Sequence, residues 1–320
     1  MAYRVEADEG VQDAIVRCAR EQLDHALGKL REGTDDDPVG AVHSARKAIK
    51  KERSLLRLAR GAISPKERRR ENRALRGAAQ GLSGVRDADV MIETIAQLSD
   101  RFAGQLPEST FRAIAEQLER DRDAQRGQQS GAMRAKRAVR ELTEVRLRLD
   151  DLKLTRGGWN AVEAGLLRSY RDGRTAFAQA RRDPSLDGLH TWRKRVKDLW
   201  YQERLLAPAC GPAISGHVKD AHRLADLLGD DHDLGVLRQS ITRDHLAVPV
   251  DLDAVIGLID HRRMELQTEA IHIGERVYAE KPKAFRRRMH RSWNAGRAVA
   301  HAPSEQNPVE LTHATRAVHE

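Results

Sequence analysis

The chain has 320 residues, of which 40% are hydrophobic, 33% are charged and only 4% are aromatic. Strands favour β-branched and aromatic side chains, so this composition argues against an extensive sheet and favours amphipathic helices, while its apolar fraction argues against wholesale disorder. Lys and Arg outnumber Asp and Glu by 57 to 48, a formal net charge of +9 that favours acidic partners without choosing among nucleic acid, anionic membranes and phosphate polymers.

Apolar residues recur at helical spacing through almost the whole chain, and short breaks rich in Gly, Pro and Asp separate the helical stretches. Ser64 before Pro65 and Asp183 before Pro184 are predicted N-caps, with the proline at the first helical position. The sequence therefore predicts an all-α protein.

An internal repeat organises this helical chain. The segment HSARKAIK at residues 43–50 recurs as HTWRKRVK at residues 190–197, an offset of 147 residues. Further on, LSGVRDADV at residues 82–90 aligns with LGDDHDLGV at residues 228–236, at an offset of 146. Two motifs in the same order and nearly the same register predict a duplicated unit.

The boundary between the two units is expected near residues 148–158, where two consecutive glycines interrupt the helical pattern. We therefore predict a first repeat at residues 1–150 and a second at residues 151–302. The remaining residues, 303–320, are polar and aperiodic, and are expected to form a loosely held tail.

The first copy of the repeat is predicted to be a helix with one basic and one apolar face. At about 100° per residue, the basic side chains share a wedge of about 120° that runs about 21 Å along the helix. These side chains are His43, Arg46, Lys47, Lys50, Arg53 and Arg57, and the opposite side carries Val42, Ala45, Ile49, Leu56 and Ala59. The second copy places His190, Arg193, Lys194, Lys197 and Arg204 at matching angles, with Trp192, Val196, Leu199 and Leu206 on its apolar side.

Such a charge run is most often a solvated helix face. A solvated face would normally mix signs, because like charges at helical spacing repel one another. No acid falls within the stripe, since Glu52 and Asp198 lie outside it, and the arrangement occurs twice. We therefore favour anion binding over the solvated face.

More basic residues follow on the next helix of each unit. If each helix pair folds back on itself, these residues would form a second basic wall facing the stripe, although a solvated cluster is an equal alternative. The candidates are Arg73, Arg76, Lys219, His222 and Arg223.

The segment Arg86-Asp87-x-Asp89 suggests a carboxylate pair. Carboxylates two residues apart on a helix do not face each other, so we expect capping or support of basic side chains rather than a metal site. The thirteen histidines likewise show no ligand spacing, and His43 and His190 each lack a second ligand one helical turn away. No metal and no other cofactor are therefore predicted.

Cys18 and Cys210 are far apart and belong to no metal-binding motif, so a reducing cytoplasm is the expected compartment. The N-terminus lacks a signal-peptide profile, and no apolar run approaches the roughly 20 residues that span a bilayer. No membrane partner is expected, and the sequence leaves monomer and homodimer open.

The two stripes and the two LSGVRDADV-like segments resemble the CHAD family, the conserved histidine α-helical domain, over roughly residues 7–300. The resemblance implies two antiparallel four-helix bundles related by a pseudo-two-fold axis, with a basic central channel or groove that binds polyphosphate. Ser83, His232 and Gly235 depart from the family's pattern. The ExExK strand of the triphosphatase domains that are often fused to this family does not occur in the chain.

These observations predict non-enzymatic binding of inorganic polyphosphate, with polyphosphate granules as an expected location. The alternatives are a nucleic-acid-binding helical protein, opposed by the scarcity of aromatic side chains for stacking, a phosphohydrolase and a histidine-dependent metal binder. A bound anion is expected to raise the pKa of His43 and His190, so affinity should increase as the pH falls through about 6.5.

Overall fold

A computed structural model of the protein describes residues 3–6, 8–33, 37–82, 87–126, 131–243 and 248–300. These ranges form eleven α-helices and no β-strand, which confirms the predicted all-α class. The helices are α1 (Val11–Glu32), α2 (Pro38–Leu58), α3 (Pro65–Gly81), α4 (Asp87–Arg101), α5 (Glu108–Arg126), α6 (Gly131–Arg148), α7 (Trp159–Arg182), α8 (Leu186–Cys210), α9 (Ser215–Arg243), α10 (Leu252–Val277) and α11 (Pro282–Ala300). Arg86 and the tail at 303–320 lie outside the described residues.

Two four-helix bundles would have eight helices. The described ranges instead hold six helices before residue 150 and five after it. The second LSGVRDADV-like segment lies inside α9, a helix of 29 residues. The first such segment begins at the end of α3, and α4 starts at Asp87 within it.

The helix starts follow the capping rules, with one difference from the prediction. Ser64 caps α3 as predicted, because its hydroxyl accepts a hydrogen bond from the Glu67 backbone N–H at 3.2 Å. The cap of α8 is Ser185, which accepts from the Gly188 N–H at 3.3 Å, and the prediction of Asp183 was wrong. Asp183 instead ends α7.

The apolar faces predicted for α2 and α8 are buried in a single hydrophobic cluster that includes residues from both predicted repeats. The side chains concerned are Val42, Ala45, Ile49, Leu56, Ala59, Trp192, Val196, Leu199 and Leu206. Because one side of each helix is in this core, the basic side of each is turned away from it.

The helix α7 approaches the C-terminal end of α2 at Gly165. A Cβ atom at this position would collide with the backbone carbonyl of Leu58 and would also meet the carbonyl of Arg57. Only glycine permits this separation of the two backbones, so Gly165 helps to set where the end of α2 lies.

Both cysteines, Cys18 and Cys210, are buried, and neither forms a disulfide. In the ranges that the structure describes, no helix combines the length and the low charge needed to cross a bilayer.

Replacing Gly165 with Ala is expected to destabilise the protein by about 1–3 kcal/mol, because the new methyl group must push the two backbones apart. Gly257→Ala is the matched control. Gly257 lies in the middle of α10 with nothing within 4 Å of an added Cβ atom. That substitution should stabilise the helix by about 0.5–1 kcal/mol. Urea unfolding of both variants measures the difference, and equal effects would contradict the close approach.

Candidate functional site

The basic sides of α2 and α8 meet at a cavity of about 700 Å³, to which α3, α4 and α9 add further side chains. We call it the basic cavity. Nine Arg and Lys side chains and two His rings line it, against two carboxylates. Its lining consists of Arg46, Ile49, Lys50, Arg53, Arg57, Arg76, Ala79, Gln80, Val90, His190, Arg193, Lys194, Arg195, Lys197, Asp198, Tyr201, His232, Asp233 and Val236.

Nine of the sixteen candidate residues are thereby brought together on one cavity. They are Arg46, Lys50, Arg53, Arg57 and Arg76 from the first repeat, and His190, Arg193, Lys194 and Lys197 from the second. The other seven, which are His43, Lys47, Arg73, Arg204, Lys219, His222 and Arg223, do not line it.

The expected second basic wall is formed by Arg76 alone among its five candidates. His222 instead stacks on Trp200, with ring centroids 4.2 Å apart and planes at 7°, and pairs with Asp226 at 3.4 Å. Arg223 donates to Glu269 on α10 at 2.9 Å. The N-terminal half of α9 thus directs these side chains toward Trp200 and α10 rather than toward the basic cavity.

Arg204, the last residue of the second stripe, also misses the basic cavity. Its guanidinium lies 5.8 Å from the centroid of the Trp200 ring. In the first stripe, His43 is half-buried and Lys47 is exposed. The helical angle placed His43, Lys47 and Arg204 on the basic sides of their helices. It could not show over which length of each helix the cavity extends.

Asp198, which the helical angle placed outside the stripe, nevertheless lines the basic cavity. Arg57 Nη1 donates to Asp198 Oδ1 at 3.0 Å, and Arg195 Nη2 lies 3.4 Å from Oδ2. Burial raises the pKa of this carboxyl group, whereas the neighbouring arginines lower it. Two of the nine Arg and Lys side chains therefore share one internal carboxylate.

Two further arginines of α2 are held by neutral acceptors. Arg53 Nε donates to the Asn72 side-chain oxygen at 3.1 Å, and Arg46 Nη1 donates to the Leu82 carbonyl oxygen at 3.4 Å. These hydrogen bonds orient the two guanidinium groups in the basic cavity.

His190 and His232 stack in the basic cavity, with ring centroids 4.1 Å apart and planes at 23°. The Nδ1 atom of each ring is buried without a hydrogen-bond partner. Burial is the largest cause and the nearby Arg193 and Lys194 add to it, so that the pKa of both groups is lowered to about 4. Both imidazoles are therefore neutral at pH 7 in the unliganded protein, and the rise in affinity as the pH falls through about 6.5 stays a prediction for the complex.

The lining of the basic cavity carries an excess of positive charge, since nine Arg and Lys side chains face two carboxylates. Burial, and then the charge of neighbouring cations, lowers the pKa of Arg53 and of Lys194. A neighbouring cation has this effect because two positive charges repel. The same groups that repel one another in the unliganded protein would attract an anion that entered between them.

Sequence reasoning missed Arg195, His232 and Asp233, which also line the basic cavity. The repeat concealed Arg195, because the aligned position in the first copy is the buried Ala48. His232 could have been found, since it aligns with Arg86 and is therefore a basic residue in a repeated position.

Two aspartates, one in the LSGVRDADV segment and one in its second copy at residues 228–236, pair with basic side chains outside the two stripes. Asp89 pairs with Arg122 on α5 at 3.3 Å, while Arg86 and the Asp87 side chain lie outside the described residues. In the second copy, Asp231 accepts from Arg263 at 3.1 Å and from Gln267 at 2.7 Å. Among the residues that the structure describes, no three His, Cys, Asp or Glu side chains are grouped as a metal ion would require.

Comparisons with known proteins agree with this architecture. The chain is similar to PptA from Streptomyces chartreusis, with 12% identity and a TM-score of 0.50 over 89% of this chain and 100% of that one. It is also similar to the crystal structure of the CHAD domain from the plant Ricinus communis, with 16% identity and a TM-score of 0.53 over 91% and 95% of the two chains. At these identities the likeness concerns the fold alone.

No curated protein matches the sequence. The family model of the CHAD domain matches residues 17–242, which is more than half of the chain. The chain therefore belongs to the CHAD domain family.

Proposed function

We propose that this protein binds long-chain inorganic polyphosphate in the basic cavity and catalyses no reaction on it. The observation that supports the proposal most strongly is the convergence of nine Arg and Lys side chains on one cavity that holds only two carboxylates. The family membership supports the same ligand, because the resemblance implies polyphosphate binding.

The chemistry of the lining suits a phosphate polymer. Polyphosphate carries about one negative charge per unit and has no base or sugar, so recognition needs dense cations and little else. Arg53 and Arg193 line the basic cavity and offer guanidinium N–H donors to phosphate oxygens, and the lysines of the lining offer ammonium donors. We expect release of condensed counterions to make the affinity fall steeply with salt.

The proposal includes the internal duplication. Helices α2 and α8 carry the two HSARKAIK-like segments and supply most of the basic lining from opposite sides. We propose that the two repeats, at residues 1–150 and 151–302, are related by a pseudo-two-fold axis, with a helical bundle in each and the basic cavity between them.

The proposed role is non-catalytic and cytoplasmic, with association to polyphosphate granules. One of the two lining carboxylates, Asp198, is engaged by arginines, an arrangement that suits charge balance more than metal binding or nucleophilic attack. Targeting or organising stored polyphosphate would need only a binding surface of this kind.

Replacing Arg193 with Gln should weaken binding of long-chain polyphosphate about tenfold, because charge-assisted hydrogen bonds to phosphate are lost. No ion pair joins Arg193 to a carboxylate among the described residues. The matched control is Arg112→Gln, which removes the same charge from the exposed side of α5, where Arg112 pairs with Glu108. Isothermal titration calorimetry should show less than about a twofold change for the control.

Equal losses for the two variants would contradict binding in the basic cavity. Release of orthophosphate from polyphosphate in the presence of Mg²⁺ would contradict the non-enzymatic part of the proposal.

Long-chain polyphosphate should displace single-stranded DNA from the protein when both are present at equal phosphate concentration. Non-specific binding of single strands depends on aromatic platforms for the bases, and the only Phe, Trp or Tyr residue of the lining, Tyr201, is 3% exposed. Fluorescence anisotropy of labelled DNA during a polyphosphate titration measures the displacement. Retention of the DNA would favour the nucleic-acid alternative.

Polyphosphate affinity should change little between pH 8 and 6.5 and rise at lower pH. The two histidines titrate near pH 4 when the cavity is empty, and bound phosphate raises their pKa, so protonation favours binding only below the bound-state pKa. Calorimetric titrations at pH 8, 6.5, 5.5 and 5 test this. The control is the double variant His190→Gln/His232→Gln, in which the increase in polyphosphate affinity below pH 6.5 should be smaller. A rise centred on pH 6.5 that the double variant abolishes would contradict the depressed pKa values.

A further inference from the structure

A carboxylate inside a cavity built for anions is the least expected feature of this site. Asp198 is 8% exposed, and its carboxylate lies between arginines of the two facing helices, Arg57 on α2 and Arg195 on α8. The Asp198 side chain therefore occupies the position in which a phosphate oxygen would otherwise contact both guanidinium groups.

The backbone around Asp198 is fixed as well. Its carbonyl oxygen accepts a hydrogen bond from the Ser54 hydroxyl of α2 at 3.0 Å, and Gln202, one turn later, donates to the Ser54 carbonyl at 3.3 Å. Because α8 is tied to α2 at this point, the carboxylate cannot leave the two arginines by a movement of its helix.

The carboxylate breaks the symmetry of the repeat. The position aligned with Asp198 in the first copy is Lys51, which lies outside the basic cavity with its ammonium 5.4 Å from the Tyr3 ring centroid. The acid at this aligned position therefore occurs only in the second copy.

We infer that Asp198 is a built-in counter-anion that sets a chain-length threshold for the phosphate ligand. A short phosphate must compete with Asp198 for Arg57 and Arg195 or accept its repulsion. A long chain contacts the remaining cations together and gains enough from them to bind. The inference rests on the proposed polyphosphate binding and specifies which members of that ligand class the cavity excludes.

The test compares triphosphate with long-chain polyphosphate on full-length wild type and Asp198→Asn, by calorimetry at constant ionic strength. Asparagine keeps the shape of the side chain and removes its charge. We expect triphosphate affinity to rise about tenfold, because two guanidinium groups become available to phosphate, while long-chain affinity rises less than about threefold. The control is Asp253→Asn, which removes an equal charge from an exposed position in the first turn of α10, and it should change either affinity less than about twofold.

The outcomes separate the inference from the proposed function. If the wild type does not bind long-chain polyphosphate, the proposed function fails. If the wild type binds it but Asp198→Asn weakens both ligands, strengthens both equally or matches Asp253→Asn, the inference alone is overturned.

A second variant covers the case in which Asp198→Asn does not fold. Arg195 and Arg193 lie two residues apart on α8, and of these two arginines it is Arg195 that pairs with Asp198. Arg195→Gln should therefore weaken long-chain binding less than about threefold, against about tenfold for Arg193→Gln. Equal losses would show that Arg195 serves the ligand despite Asp198, and would overturn the inference.

Discussion

Repulsion between cations that face one another across a cavity is the constraint on which the rest of this structure depends. Helices α2 and α8 present their basic sides to a shared space, and each cation there raises the free energy of the others. The arrangement persists because the opposite sides of the two helices are buried in the core. The hydrogen bonds between Ser54, Asp198 and Gln202 hold the facing sides at a fixed distance.

The helical class, the caps at Ser64 and the apolar faces of α2 and α8 could be predicted because they depend on local spacing. The reason for Gly229 and Gly235 inside α9 could not, because each lies where α8 comes close, against Arg193 and Leu186 respectively. Tertiary packing thus keeps glycine inside a continuous helix, and no local rule conveys that.

The candidate site was predictable to the extent that it follows one helix face. Helical angle identified Arg53, Arg193 and Lys197, because a stripe on an amphipathic helix is a matter of periodicity alone. It placed His222 and Arg223 on a second wall that the structure does not form, since side chains of α9 find partners on α8 and α10 that sequence spacing does not reveal. Asp198 was placed outside the stripe for the same reason: its distance from Arg57 depends on how two helices cross.

The continuous hydrophobic cluster has a consequence for how this protein would meet a ligand. Because α2 and α8 bury their apolar sides in that one cluster, we expect their two basic sides to keep their relative positions when a ligand binds. The binding site then loses its conformational entropy when the protein folds, before the ligand arrives. On binding, only the polymer loses conformational entropy. A receptor prepared in this way can retain a flexible chain through many individually weak contacts and still release it when salt screens them.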